Sequence, residues 1–332
     1  MKIEIVAELA QGFEGCVQQT KLMVKAAAMA GADAVKFQLV FADELSTPDY
    51  EHYELFKTLE MSKDEWMEVK NMCSELSINL IFDVVGEIGL SLAQEMNIKT
   101  IKLHATDINN HGFLAKIANS DIERIMLGAG GAYSNEIDNA LQILEHKEIV
   151  LFHGFQGYPT AIEENQISRI QLWREMYCAK PNIKLGFSDH IDPISISSIS
   201  VPAFAVGQGA LILEKHLTLG ACMELEDFES AMNPDQFKVF VNSMRDLEKS
   251  YGTISKDPDF GMSENESQYR ANIRRDVVSL RDIEVGTVID ISDVTLKRTS
   301  AKDSYKNIKD VYGKVAKTKI EPNKPISIKE VC

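Results

Sequence analysis

A (β/α)8 barrel, the TIM barrel, followed by a small β-rich domain is the α/β fold class that this sequence predicts, on three observations. Eight short runs rich in β-branched residues alternate with longer segments whose apolar residues recur at helical spacing. The alternation fills about the first 250 residues, the usual size of such a barrel. Beyond it, a polar stretch leads into a last segment where only short β-like runs remain.

In chain order the expected strands are Ile3 to Ala7, Ala34 to Phe37, Asn79 to Phe82, Thr100 to Leu103, Arg124 to Leu127, Ile149 to Phe152, Lys184 to Phe187 and Leu211 to Glu214. Between them lie helical patterns such as Gln18 to Ala30, Lys63 to Leu76, Asn135 to Glu145, Gln166 to Tyr177 and Pro234 to Ser250. Strands separated by helices pair in parallel, whereas hairpins would need only short turns between them. The barrel is therefore placed at residues 1–250. Residues 251–276 lose the rhythm and carry Asp-Pro and Glu-Asn-Glu clusters that bury no apolar face, which reads as a linker. Residues 277–332 show β-like runs at Val277 to Leu280, Val288 to Ile289 and Val294 to Lys297, punctuated by Gly286, Gly313 and Pro322. A domain of about 55 residues is small enough to need a docking surface.

Composition bounds the function. With 332 residues, 45% hydrophobic and 26% charged, the chain is neither disordered nor a single small module. A formal charge of −15 argues against a nucleic-acid surface, which needs clustered Lys and Arg. The charge is uneven: residues 277–332 carry +3 and the preceding part −18. An anionic substrate in the acidic part must then be held by a few inward-pointing cations. Five cysteines, widely spaced and without a C-x-x-C pair, suggest a reduced compartment. Glu4 and Glu8 interrupt the apolar run a signal peptide would need, and no stretch reaches about 18 consecutive apolar residues. A cytoplasmic protein that meets no membrane is the expectation.

Barrel active sites lie at the C-terminal ends of the strands. Here those ends carry Glu8; Lys36 and Gln38; Asp83; Lys102, His104 and Asp107; Gly128 to Gly131; His153; Ser188 and His190; and Glu214 and His216. Four of these pairs are spaced by two, which puts both members on one side of a strand. Buried charges must be paired or do chemistry, so this convergence points to a site. His190 and His216 end neighbouring strands and could present two imidazoles to one cation, Mn²⁺, Fe²⁺, Co²⁺ or Zn²⁺ rather than Mg²⁺. Two unrelated core histidines are the alternative. Lys36 and Lys102 suit a carboxylate or phosphate, or else salt bridges to Glu8, Asp83 or Asp107. The glycine run could form an anion nest or only a tight turn.

At full length the sequence resembles the sialic acid synthase family, nonulosonic acid synthases with a C-terminal antifreeze-like (SAF) domain. The resemblance is carried by Ala7-Glu8, Gly31 to Gln38, Gly186-Phe187-Ser188-Asp189-His190 and Glu214-Lys215-His216-Leu217-Thr218. In the tail it continues through Arg281-Asp282-Ile283, Gly286, Leu296-Lys297-Arg298, Tyr312-Gly313-Lys314 and Ile320 to Ile326. It implies a transferase that condenses phosphoenolpyruvate with the open-chain aldehyde of an N-acylated amino sugar, giving a nine-carbon 2-keto acid and phosphate. It also implies Mn²⁺ or another divalent cation on His190 and His216, and a donor held by Lys36 and Lys102. Glu8 would position donor or metal-bound groups, and Asp107 would carry the proton of the attacking water. Gln38, Asp83, Thr106, Gly128, Tyr158, Ser188 and Asp227 complete the implied substrate site. Arg298 would reach the partner subunit's barrel in a domain-swapped homodimer.

The sequence departs from the family pattern at four strand ends and in the tail, with Gly12-Phe13-Glu14 where the family has Asn-His-Asn after the first strand and Thr299-Ser300 where it has Pro-Gly after Lys297-Arg298. Phe82-Asp83-Val84-Val85 stands where the family has Ser-Thr-Pro-Phe, Ala105-Thr106-Asp107 where it has Ser-Gly-acid, and Gly128 to Gly131 where it has Ser-Thr-Gly-Met. Hydroxyls expected near the phosphate are thus replaced, and Asp83 brings a negative charge that requires a partner. A metal-dependent aldolase-type enzyme with a non-phosphorylated donor, and a non-catalytic sugar-binding paralogue, are the alternative readings.

Overall fold

The computed structural model describes residues 1–154 and 157–332, and the chain divides into two compact units, Met1–Gly252 and Thr253–Cys332. In the first, eight parallel strands close into a barrel in sequence order: β1 Glu4–Glu8, β2 Ala34–Leu39, β3 Asn79–Val84, β4 Thr100–Leu103, β5 Arg124–Gly128, β6 Glu148–His153, β7 Ile183–Asp189 and β8 Ala210–His216. Helices follow the strands, among them Val17–Ala30, Lys63–Glu75, Ser134–Ile143, Ser168–Tyr177 and Pro234–Ser250. Their ends are specified locally. Ser62 and Glu65 form a capping box at the start of one, and Gly31 takes a left-handed φ of 92° to close another.

Strand alternation sorts the side chains into two apolar bodies. Val6, Ala34, Ile81, Met126, Val150, Phe152 and Ile212 fill the middle of the barrel interior. Residues of the opposite parity, such as Ile5, Phe37, Phe82, Ile101, Leu127, Leu151, Phe187 and Leu213, pack outward against the helices. Phe13, Phe37, Trp66 and Phe82 meet there edge-on or tilted, at centroid separations of 5.0–5.9 Å. Below the interior plug, Arg124 pairs with Glu4 at 2.8 Å and Glu148 at 3.4 Å. Above it, toward the strand C-termini, the inward positions are polar.

Several strands run beyond the expected β-branched runs: β2 continues to Leu39, β3 to Val84, β7 to Asp189 and β8 to His216. The apolar pattern stops where the inward side chains become charged, but the backbone ladder does not. Those charged residues find partners across the barrel, so their strands continue.

The second unit has its own core of Val277, Ile283, Ile289, Val294, Val311, Ala316, Ile320, Ile326 and Val331. Strands β9 Asp276–Ser279 and β10 Val294–Lys297 pair antiparallel, and single bridges such as Ile283 with Ile320 and Val288 with Val315 tie the rest. Within the stretch read as a linker, the chain forms a helix at Glu264–Ile273, capped by the Ser263 hydroxyl accepting from Glu266 N at 3.1 Å. None of its residues is buried, as its sparse apolar positions require. The five cysteines are free, and among the described residues no helix is long and apolar enough to cross a membrane.

Candidate active site

Five strands deliver charged side chains to the upper interior of the barrel. Lys36 from β2 contacts the Glu8 carboxylate of β1, lies 3.3 Å from Asp83 of β3 and 3.8 Å from Glu214 of β8. Lys102 from β4 contacts Glu214 directly and approaches the Ser188 hydroxyl at 3.5 Å. That hydroxyl donates to Glu214 at 3.0 Å, and the Lys102 ammonium lies 5.3 Å from the centroid of the Phe152 ring. Gly186 on β7 makes this ring position possible, because a Cβ there would come within 2.6 Å of Phe152. Every member of the cluster is buried.

Three carboxylates face two ammonium groups, so the cluster carries a surplus negative charge when all are ionised. Burial would discharge Lys36, but Glu214, Glu8 and Asp83 outweigh it and hold its ammonium above the usual range. Burial likewise opposes the charge on Glu214, yet Lys102 and Lys36 hold that carboxylate well below its ordinary range. Glu8 moves the other way: burial and the nearby Glu214 raise its carboxyl despite the Lys36 attraction. Of Glu8 and Glu214, Glu8 is the one disposed to keep a proton. Its second oxygen accepts from the Ala10 N–H at 2.7 Å.

The two histidines sit together. Their ring centroids are 5.1 Å apart, and Tyr158 lies edge-on to both, at 5.1 Å from His190 and 5.9 Å from His216. Asp227, held in a left-handed backbone conformation with φ 60°, pairs with His216 Nε2 at 3.2 Å. The Nδ1 atoms of both rings are buried and have no hydrogen-bond partner among the described residues. Burial, and then the charge His216 would carry, depress His190 well below the ordinary imidazole value, so it is a neutral donor. Burial and Asp227 raise the Tyr158 phenol, keeping it neutral. Two close neutral-capable imidazoles with unsatisfied nitrogens fit a divalent transition cation. Among the described residues no cluster of three or more His, Cys, Asp or Glu side chains could hold an ion, so solvent or substrate would complete the sphere.

The remaining expected residues of the barrel lie at or just after the C-terminal ends of its strands. Gln38 accepts from Gln11 at 2.7 Å, and Thr106 bonds His104 Nδ1 at 2.9 Å. Asp107, in the short helix after β4, accepts from Asn110 at 3.2 Å and is half-buried, without an ion pair to Lys36 or Lys102 among the described residues. Gly128 and Gly130 are demanded by backbone crowding: a Cβ on Gly130 would meet Gly154 O at 2.1 Å, and one on Gly128 would meet Ala105 N at 3.0 Å. Ala129 N–H in that run is already used, donating to Phe152 O at 3.1 Å. Arg298 is exposed in the second unit, directly after β10.

The chain matches two family models: NeuB family over residues 23–256, and SAF domain over residues 274–331. The chain belongs to the NeuB family. An uncharacterised protein of Methanocaldococcus jannaschii is 30% identical over 89% of this chain and 84% of its own length. The N,N'-diacetyllegionaminic acid synthase of Legionella pneumophila is 27% identical, covering 93% of this chain and 89% of that enzyme. The crystal structure of an N-acetylneuraminic acid (sialic acid) synthetase from Leptospira borgpetersenii, in complex with citrate, superposes with a TM-score of 0.73 at 26% identity, covering 82% of this chain and 93% of that one. Sugar-acid synthesis is thus the general chemistry of this NeuB-family chain's relatives.

The structure adds one member that the motif reading left out of the site. Glu214 stood at a strand end beside His216, but only closure of the barrel brings it between Lys36 and Lys102. The period-two spacing with His216 was its signal, since that spacing points both inward.

Proposed function

We propose that this NeuB-family protein is a nonulosonic acid synthase. It would condense phosphoenolpyruvate with the open-chain aldehyde of an N-acylated amino sugar, take up water, and release a nine-carbon 2-keto sugar acid and phosphate. The observation that carries this reading is the buried Lys36 and Lys102 pair braced by Glu214, directly below two imidazoles with unsatisfied nitrogens.

In this reading Lys36 and Lys102 exchange part of their carboxylate contacts for the donor's carboxylate and phosphate. Ser188 supplies a hydroxyl beside Lys102, and the glycine run from Gly128, apart from the Ala129 N–H already bonded to Phe152 O, would offer backbone N–H groups to the phosphate. Glu8, whose carboxyl is raised by burial, stands next to Lys36 as a group that would take up and return a proton, while Asp107 relays protons at the solvent side. His190 and His216 would hold Mn²⁺ or a similar cation, which when bound polarises the aldehyde oxygen. Asp227 keeps the His216 ring oriented, and Tyr158 covers the imidazole pair. Gln38 and Thr106 line the rim where the sugar enters. Arg298 would contact the sugar's acyl group from the partner subunit of a domain-swapped homodimer, in the cytoplasm where both substrates arise.

The test is phosphate release from phosphoenolpyruvate with Mn²⁺ and a panel of N-acylated amino sugars, for wild type and His216→Ala. Release that needs sugar, metal and His216 is expected; no release with any sugar overturns the reading. One observation favours a second donor class: Asp83 occupies Lys36 at 3.3 Å, where a phosphate would compete with it. Turnover with pyruvate in place of phosphoenolpyruvate would establish that alternative, an aldolase-type enzyme.

A further inference from the structure

The imidazole pair stands on two strands whose intervening residues form a different kind of contact. Ser188 and His190, like Glu214 and His216, belong to the inward parity. Asp189 and Lys215 have the outward parity, the layer that Phe187, Leu213 and Leu217 otherwise fill with apolar side chains. They are direct register partners on β7 and β8, and their side chains are 1% and 0% exposed. Lys215 Nζ lies 3.0 Å from Asp189 Oδ2 and donates to the Ile191 carbonyl at 2.7 Å. Asp189 Oδ1 accepts from the Ile191 N–H at 2.9 Å. Both backbone polar groups of the residue after His190 are therefore consumed by this pair.

Stability alone does not call for charge here. Buried ion pairs replaced by apolar groups of similar volume are often as stable or more so. Two leucines would leave the Ile191 N–H and C=O buried without partners, and would allow the strand ends to slide. The ion pair fixes a distance instead: the residue before His216 grips the residues on either side of His190. Loops complete the hold, with Thr160 N and the Ser230 hydroxyl each donating to His190 O at 2.9 Å and Met232 N to His216 O at 2.9 Å.

We infer that Asp189 and Lys215 are positioning residues that set the spacing of the His190 and His216 imidazoles for a shared cation. The inference rests on the metal-binding reading above. Neither residue touches substrate or ion; each acts through the backbone of the neighbouring histidine.

The experiment uses full-length wild type, Asp189→Asn, Lys215→Met and His190→Ala, titrated calorimetrically with Mn²⁺ at a temperature where near-ultraviolet circular dichroism shows each folded. The visible spectrum of bound Co²⁺ is recorded in parallel. Asp189→Asn keeps the volume and the Ile191 N–H contact, so it carries the test even where Lys215→Met fails to fold. The expected result is Mn²⁺ affinity about tenfold weaker in Asp189→Asn, with an altered Co²⁺ spectrum. A role in stability alone would lower the melting temperature and leave both readouts of the folded protein unmoved, and affinity within twofold of wild type overturns the inference. Wild type that takes up no Mn²⁺, or that His190→Ala matches, overturns the metal reading and this inference with it. Binding lost in His190→Ala but unchanged in Asp189→Asn overturns the inference alone.

Discussion

Replacing Lys36 by Met removes the ammonium that three buried carboxylates share. Glu8 is in direct contact with it, Asp83 is 3.3 Å away and Glu214 3.8 Å, and the four side chains are between 2% and 6% exposed. At an effective dielectric of about 20, the two longer attractions are about 5 and about 4 kcal/mol, mostly offset by the desolvation already incurred. Methionine fills the volume but leaves the carboxylates facing Lys102 alone. Breaking a buried pair from one side costs about 3–5 kcal/mol, which for a barrel of this size lowers the melting temperature by roughly 10 °C. The cost depends on pH with a definite sign. Without Lys36 the Glu8 carboxyl, already raised by burial, loses the charge that most lowers it and moves further above its unfolded value, so through that group the native state binds more protons than the unfolded state and stability falls as pH rises. The deficit measured by calorimetry should therefore be larger at pH 8 than at pH 5, and Lys36→Met/Asp83→Asn should recover part of it at pH 8. A Lys36→Met protein as stable as wild type at both pH values would show that the carboxylates do not depend on Lys36, and the charge argument would fail.

Other outcomes follow from the same geometry. Asp83→Ser frees Lys36 of a competing carboxylate and offers a hydroxyl in its place, so the KM for phosphoenolpyruvate should fall about tenfold, the effect of one charge-assisted hydrogen bond; a rise in KM would refute the competition. Gly130→Ala forces a Cβ to within 2.1 Å of Gly154 O, and the backbone shift should cost about 1–3 kcal/mol by denaturant unfolding. In the second unit burial opposes the charge on Asp276, yet hydrogen bonds from Lys306, Ser304 and Thr299 prevail and hold its carboxyl below the usual range. A depressed carboxyl contributes stability that is present above the unfolded pKa and lost as pH falls through the folded one. Hydrogen exchange of residues 276–297 should accelerate in acid, after correction for the intrinsic rate, and Asp276→Asn should flatten that dependence.

The sequence was legible where one physical rule acts alone. Barrel strands announce themselves because both faces of their middle portion are apolar, and the inward parity of Lys36, Lys102, Glu214 and His216 follows from alternation with no further input. Whether the two lysines would meet a ligand or carboxylates was not decidable from spacing, because partners such as Glu8 and Asp83 are tens of residues from Lys36 and meet it only when the barrel closes. The structure pairs Lys36 with Glu8 and Asp83, as the salt-bridge alternative held, but Lys102 with Glu214, a partner that alternative did not include. The strand ends were read short because hydrophobic pattern marks burial, and here the buried residues are charged. The helix at Glu264–Ile273 escaped notice for the opposite reason: it buries nothing, so no apolar period betrays it.

Closure also supplies the partners that these buried charges require. Each strand exposes its last inward residue to a space that the Val6 to Phe152 layer seals from below. An ammonium there has no water beneath it and must take its counter-charge from another strand, which is what ties β1, β2, β3, β4 and β8 together around Lys36, Lys102 and Glu214. The surplus of carboxylates then biases the site toward a ligand that brings its own cation or proton. A trianionic donor entering alone would raise the negative charge further, whereas one entering with a divalent cation at His190 and His216, and a proton on Glu8, would not. Donor affinity should accordingly rise when Mn²⁺ is added, and fall as pH rises. Calorimetric titration of phosphoenolpyruvate with and without Mn²⁺ at pH 6 and pH 8 measures both, and donor binding indifferent to metal and pH would refute this coupling.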